Sequence, residues 1–386
     1  MEVRPGYKLT EVGVIPEEWQ VQPLLTAVHI PNGQVDPRIE PYRSMTLVAP
    51  DHIERATGRL LARQTARDQG AISGKYLFAS GDILYSKIRP YLRKAVLADF
   101  DGLCSADMYP LRPTTGVSAG FILAILLGHR YTKYAESVSV RSGMPKINRA
   151  EMADFLIVLP LDDEQRAIAT ALGDVDALLD GLDRLIAKKR DIKQAAMQQL
   201  LTGATRLPGF SGEWQTKSLS ALCSMNSGEG ITSVSIDQFS RYPCYGGNGL
   251  RGYATRFTHD GTYALVGRQG ALCGNVLCVE GHFFASEHAI VVTAFADTDI
   301  RWLTSVLGRM NLNQYSESSA QPGLSVSKIL NLEITAPPTK AEQSAIASIL
   351  SDMDAELAAL EARRDKTRAL KQAMMQELLT GRTRLV

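Results

Sequence analysis

The sequence predicts a mixed α/β (α+β) protein in which two similar domains alternate with two long helices that pack as an antiparallel coiled coil. Three observations carry that reading. Placing Glu164 on Glu342 and reading forward without a gap gives 25 identities in the 44 positions from Glu164 to Leu207, the mark of a duplicated unit. A second match, Glu18-Trp19-Gln20 with Glu213-Trp214-Gln215, has an offset of 195 rather than 178, so the stretch before the first repeat is longer by 17 residues. The repeats themselves carry apolar residues alternately four and three apart, which is helical seam spacing.

In chain order the domains are residues 1–160, a first mixed α/β domain; 161–207, a central helix; 208–338, a second mixed domain; and 339–386, a distal helix. In the first domain Gly81 to Tyr85 and Phe155 to Leu159 read as strands, and Phe121 to Tyr134 as one helix. The central helix is expected from Asp162 to Leu201, with Ile168, Leu172, Val175, Leu179, Leu182 and Ile186 on its seam. In the second domain Thr262 to Val266 and Ala289 to Val292 read as strands, and Ile300 to Leu312 as a helix. The distal helix is expected from Lys340 to Leu379, with Ile346, Leu350, Met353, Leu357 and Leu360 in register. Both seams slip and resume around Ile192 and Leu370. Asp162 with Gln165, and Thr339 with Glu342, have capping-box spacing, while Gly203 and Gly381 sit where left-handed C-terminal caps belong.

Composition narrows the function classes. Of 386 residues, 45% are hydrophobic and 22% charged, and 42 basic residues against 41 acidic ones leave a net charge of +1. A polycation coating nucleic acid by bulk charge is excluded, whereas a basic groove on a balanced protein is not. The longest apolar run, Phe121 to Leu127, is too short to span a bilayer, and Met1 to Thr10 lacks the apolar core of a signal peptide; a cytoplasmic protein is expected. Five scattered cysteines without a C-x-x-C pair argue against a disulfide framework and a zinc finger, and Cys273 and Cys278 read as strand residues. The six histidines show no metal-ligating spacing.

Several partial motifs fail on context. Gly247-Asn248-Gly249-Leu250-Arg251-Gly252 fits G-x-G-x-x-G, but no buried strand leads in, no helix follows and no acid lies about twenty residues on. Gly70 to Lys75 is one residue short of a Walker A loop, and Tyr76 replaces its Ser/Thr. Ala336-Pro337-Pro338-Thr339 lacks the amide and the aromatic of the N-P-P-[YF] motif of amino-methyltransferases and reads as a strand stop and helix start. No nucleophile with a base at an interpretable spacing appears. No catalytic residue, metal or cofactor is therefore expected.

The charge runs say more. From Ile83 to Ala98 the chain holds Lys87, Arg89, Arg93 and Lys94 among Tyr85 and Tyr91, with no acid, and from Arg130 to Arg149 it holds Arg130, Lys133, Arg141, Lys146 and Arg149 against Glu136 alone. In the second domain Arg241, Arg251, Arg256 and Arg268 interleave with Tyr242, Tyr245, Tyr253 and several glycines. Cations for phosphates and bidentate Arg, Asn or Gln for base edges are what a DNA reader needs. A single run is usually a solvated face; the same pattern in both domains favours nucleic acid. The expected DNA-binding residues are Lys87, Arg89, Tyr91, Arg93, Lys94, Arg141 and Lys146 in the first domain, and Tyr245, Asn248, Arg251, Arg256, Arg268 and Gln269 in the second.

Tyr7 to Trp19, the junctions Leu159 to Gln165 and Ala336 to Gln343, and two Leu-Leu-Thr-Gly helix ends resemble, in this order and twice over, the specificity (S) subunit of type I restriction-modification systems, the HsdS family. Tyr245 to Gly249 and Gly81 to Leu84 resemble recurring pieces of target recognition domains. Asp162-Asp163 departs from the usual second proline and its neighbour at the first junction. The resemblance covers essentially the whole chain. It implies a non-catalytic protein with target recognition domain 1 and target recognition domain 2, each reading half of a split double-stranded DNA sequence. It also implies helices that dock two methyltransferase (M) subunits, with restriction/translocase (R) subunits added for cleavage and no membrane partner. The alternative is a coiled-coil scaffolding protein with two ligand-binding end domains; a stand-alone methyltransferase or nuclease ranks third.

Overall fold

The computed structural model describes residues 4–139, 143–270, 272–316 and 323–385. It divides into two compact units, Met1–Asp183 with Ala362–Val386, and Arg184–Glu361. The long helices, Asp162–Leu200 and Lys340–Leu378, are continuous and end one residue short of the expected positions. Each contributes to both units.

In the first unit a four-stranded antiparallel sheet has the order Val28–His29, Met108–Pro113, Ile83–Ser86, Ala95–Leu97, and a three-stranded sheet joins Leu47–Val48, Gly102–Cys104 and Tyr76–Phe78. Asp82 fixes the entry to Ile83–Ser86, the first of the expected strands. It is 2% exposed, accepts the Ala79 amide at 2.9 Å, and takes Arg112 as a bidentate partner at 2.9 and 2.8 Å. The main core gathers Trp19, Leu24, Ile83, Tyr85, Phe121 and Tyr131 under the helices Ala119–Leu127 and His129–Val138. The sequence suggested one helix there. Gly128 breaks it, adopting extended backbone at φ −73°, ψ 154°, as a residue with poor helix propensity permits.

The second unit is built on one six-stranded sheet, in the order Cys223–Ser227, Ala289–Ala294, His259–Gly267, Val276–Ala285, Tyr242–Gly246, Gly249–Ala254. Its pairings are antiparallel except that between Val276–Ala285 and Tyr242–Gly246. Trp302, Leu303, Val306 and Leu307 of the helix Ile300–Arg309 cover one face of this sheet. Cys278 lies in a strand as expected; Cys273 instead is buried in the turn before it.

Equivalent junctions recur in the two units. The strand that leads into each long helix pairs with the strand after the tryptophan: Leu159 opposite Gln20, and Ala336 opposite Gln215. Gln165 accepts the Ser118 amide and Gln343 accepts the Asp299 amide, each tying a long helix to the start of a covering helix. Thr339 caps its helix as expected by accepting the Glu342 amide at 3.3 Å. Asp162 does not cap. It lies inside the first turn and pairs with Arg166. Gly203 and Gly381 are left-handed, at φ +72° and +69°. A Cβ on Gly203 would lie 3.0 Å from the Trp214 ring, and one on Gly381 would lie 2.4 Å from Pro16, so glycine is needed for space as well as for conformation.

The helices pack antiparallel. Within the first unit Asp176 meets Lys371 at 2.5 Å and Asp183 meets Arg364 at 3.9 Å; within the second, Lys189 meets Glu356 at 2.7 Å and Lys193 meets Asp354. Numbers rise along one helix as they fall along the other. Ile168, Leu172, Leu179, Leu182 and Ile186 are buried on the first seam, and Ile346 and Leu350 on the second. Ile192 and Leu370, expected to resume the seam, are 42% and 55% exposed. Thr367 and Lys371 are buried in that stretch instead, the latter because its ammonium reaches Asp176.

Candidate nucleic-acid interface

In the first unit two backbone segments are laid side by side. The Ile147 amide donates to the Lys87 carbonyl at 2.9 Å, the Arg89 amide donates to the Pro145 carbonyl at 2.8 Å, and Ile88 bridges Lys146. This brings Lys87, Arg89 and Lys146 together from positions about sixty residues apart in sequence. Arg89 and Lys146 are exposed, and Lys87 is half-buried with Nζ 5.1 Å from the Tyr109 ring centroid. Arg149 shares that ring at 5.6 Å and donates to Asn32 Oδ1 at 2.6 Å. The turn Pro90–Leu92 is bracketed by Arg89 and Arg93, both left-handed at φ +50° and +49°. Such backbone is sparsely populated by residues with a Cβ, and it points attention to what the turn presents.

The remaining expected residues of this unit have other surroundings. Lys94 donates to the Pro50 carbonyl at 2.7 Å, so its ammonium holds the fold. Tyr91 and Arg93 line an open cleft of about 970 Å³ with Arg55, His129, Arg130 and Arg382. Arg130 is fixed there by the Leu156 carbonyl at 2.9 Å and by the Phe155 ring at 5.2 Å, and burial pulls its guanidinium below the usual arginine range. Arg141 lies outside the described residues.

In the second unit the false dinucleotide motif is a β-hairpin turn between Tyr242–Gly246 and Gly249–Ala254. A Cβ on Gly247 would lie 3.0 Å from the His288 carbonyl oxygen and 3.1 Å from that of Gln269; one on Gly267 would lie 2.3 Å from the Gly247 oxygen. Three loops therefore touch through bare backbone, gathering Asn248, Arg268, Gln269 and His288. Arg268 donates to Ser227 Oγ at 2.9 Å. Gln269 Oε1 lies 3.2 Å from His288 Nδ1, and His288 Nε2 lies 3.2 Å from Glu287. Asn248 and Arg251 are exposed, the Arg251 stem passing over Gly246. The Tyr245 ring packs edge-on against Phe283, so one face belongs to the core. Arg256 is tied to Glu229 at 2.8 Å over the Phe284 ring.

The lysine of the rejected Walker-like loop belongs to the fold. Lys75 is buried and donates to Ser73 O and Oγ at 2.7 Å. Among the described residues there is no group of three or more His, Cys, Asp and Glu able to hold a metal, and no helix long and apolar enough to cross a membrane.

The type I restriction modification DNA specificity domain matches residues 56–189 and again 211–368, more than half of the chain. The chain belongs to this family. Among its relatives the EcoprrI specificity subunit of Escherichia coli is 44% identical over 37% of this chain and 36% of its own, and the EcoDI specificity subunit of Escherichia coli is 30% identical over 48% and 41%. The chain thus spans less than half the length of these curated relatives. Two solved structures establish the fold over nearly its full length. The type I restriction-modification S subunit from M. genitalium superposes with a TM-score of 0.68 at 15% identity, covering 97% of this chain and 98% of that one. A chain of a type I R-M system, solved for its complex assembly and conformational transition, gives 0.60 at 19%, covering 96% and 99%.

The two family matches each fall on one basic cluster, so this specificity-domain chain carries a candidate interface in either unit. Sequence reasoning missed His288, Ser227, Arg55 and Arg382. None has a local pattern to find it; each is placed by tertiary packing alone.

Proposed function

We propose that this chain is the DNA sequence-specificity subunit of a type I restriction-modification complex, each unit reading one half of a split duplex target. It carries no catalytic step of its own. Lys87, Arg89 and Lys146 supply the first unit's cations, and Asn248, Arg251, Arg268 and Gln269 the second unit's readers. Exposed guanidinium and ammonium groups neutralise phosphates, while an amide or guanidinium held in a fixed orientation reads a base edge. The paired helices are the docking surface for two methyltransferase subunits, to which restriction/translocase subunits add, and the complex works in the cytoplasm.

The observation that supports this most is the double family match, each copy on a unit with its own cluster of basic and amide side chains. Methylation-sensitive long-read sequencing of a host expressing this chain with its methyltransferase subunit tests it. The expected result is a split, asymmetric methylated sequence, because the two sheets that present the clusters differ. Methylation absent, or unchanged when this chain is deleted, overturns the reading.

A further inference from the structure

Phe239 is 95% exposed, and Val234 in the same segment is 94% exposed. A loose loop would account for that, but this loop is clamped. The Asp237 carboxylate accepts the Phe239 amide at 2.8 Å, the Ser240 amide at 2.6 Å and the Ser240 hydroxyl at 2.7 Å, and the Ser240 hydrogen bonds hold it below the usual carboxylate range. Asp237 also exchanges both backbone hydrogen bonds with Tyr253, at 3.0 and 2.7 Å, fastening the turn to the strand Gly249–Ala254. Ile236 packs beside Cys244, Ala254 and Phe284 underneath. At Gly252, φ +145°, a Cβ would lie 2.6 Å from Ile236 and 2.7 Å from the Asp237 carbonyl oxygen, so only bare backbone lets the turn sit this close.

A rigid turn therefore drives one aromatic ring into solvent beside the hairpin that carries Asn248 and Arg251. The surroundings narrow what it meets. A protein-docking face is a contiguous apolar patch. In sequence Val234 and Phe239 are set among Thr232, Ser233, Ser235, Gln238, Ser240 and Arg241, and the one acid of the stretch, Asp237, is spent on its own turn. An exposed apolar ring flanked by hydroxyls, an amide and a cation has the chemistry of a wedge between stacked bases, with its neighbours on the phosphates.

We propose that Phe239 is an apolar wedge that enters a base step of the duplex bound by the Arg184–Glu361 unit, opening that step and setting the register of the unit on its half-target. The proposal rests on the DNA-reading function above and adds a distortion that base-edge contacts alone do not require. Because the side chain is exposed, Phe239→Ala leaves the folded chain intact, and Phe239→Trp keeps a planar ring.

The test uses the assembled complex of this chain with its methyltransferase subunits, on duplexes of the methylated sequence with 2-aminopurine walked through the half-target. The expected result is a rise in emission at one step, lost in Phe239→Ala, kept in Phe239→Trp and weakened in Asp237→Ala. Phe239→Ala should also loosen binding by roughly ten- to a hundredfold, as expected for withdrawing a buried phenyl ring. Unchanged emission and affinity in Phe239→Ala, with the target still methylated, overturns the wedge and leaves the DNA reading standing. Impaired assembly with the methyltransferase subunits, at unchanged DNA distortion, overturns it in favour of a protein contact. A wild-type complex that methylates no split sequence overturns the functional reading itself, and the wedge with it.

Discussion

Arg384 closes on Glu164, Nε to Oε1 at 2.5 Å, while Trp19 Nε1 donates to the other oxygen of the same fully buried carboxylate at 2.8 Å. The repeat builds the arrangement twice, for Glu342 takes Arg206 at 2.5 Å and Trp214 at 3.3 Å. In each unit the start of one long helix is thus locked to the segment following the end of the other. Removing one partner of a buried charge pair leaves the other uncompensated, which costs about 3 to 5 kcal/mol for a fully buried pair and less where, as here, the arginine is partly exposed. Glu164→Ala is expected to destabilise the Met1–Asp183, Ala362–Val386 unit by about 2 kcal/mol, and Glu342→Ala to do the same to the other unit. Hydrogen exchange is the measurement. Faster exchange spread equally over both units in either variant contradicts the local lock.

A second pair of equivalent contacts differs in exposure. Lys371 is 11% exposed in its pair with Asp176, whereas Lys193 and Asp354 are 23% and 60% exposed in theirs. Surface pairs contribute about 0 to 1 kcal/mol and are screened by salt, while desolvated ones are screened less. Double-mutant cycles should therefore give a larger coupling for Asp176–Lys371 than for Lys193–Asp354, and the difference should widen as ionic strength rises. Equal couplings at all salt concentrations contradict the burial argument.

These symmetric contacts explain why the helices were legible in the sequence and the recognition units less so. Glu164, Asp176, Lys193 and Arg206 recur 178 positions later because each holds a mate from the other copy. The seam's second half was misread because periodicity counts apolar residues, and here the buried positions are Thr367 and Lys371. Gly128, directly after the apolar run Phe121 to Leu127, gave no separate warning that one helix becomes two. The charge runs located the basic loops, but could not tell that Lys94 is bound to a carbonyl or that Arg256 is held by Glu229. Pairing partners lie 27 and 44 residues away, beyond any local pattern.

That distinction separates the expected effects of charge removal. Lys146→Ala and Arg89→Ala remove exposed cations, so each should weaken all sequences alike and reduce the salt slope of DNA binding by about one. Lys94→Ala should instead lower thermal stability, by about 1.5 to 3 kcal/mol for a hydrogen bond to a charged group, with the salt slope kept. Arg251→Ala should loosen binding more than Arg256→Ala, whose charge Glu229 already neutralises. The assembled complex titrated against duplex at several salt concentrations checks all four. An Arg256→Ala effect larger than that of Arg251→Ala means that Arg256 leaves Glu229 to contact DNA.

Gln269 tests base reading most directly. A glutamine distinguishes bases because its amide presents an acceptor and a donor in a fixed order, and that order is lost if the amide rotates. His288 Nδ1 stands 3.2 Å from Gln269 Oε1 and its Nε2 lies 3.2 Å from Glu287, so the imidazole is braced against the amide and limits its rotation. His288→Ala removes the brace without removing the reader. The methylated sequence should then keep every position but one, at which a second base becomes tolerated, with discrimination there reduced by about 1 to 3 kcal/mol. Gln269→Ala should relax the same position, and the double variant should add nothing further, since both act on one contact. Long-read methylation profiles of the three variants decide it. If His288→Ala and Gln269→Ala relaxed different positions, the imidazole would be reading a base on its own account rather than positioning its neighbour.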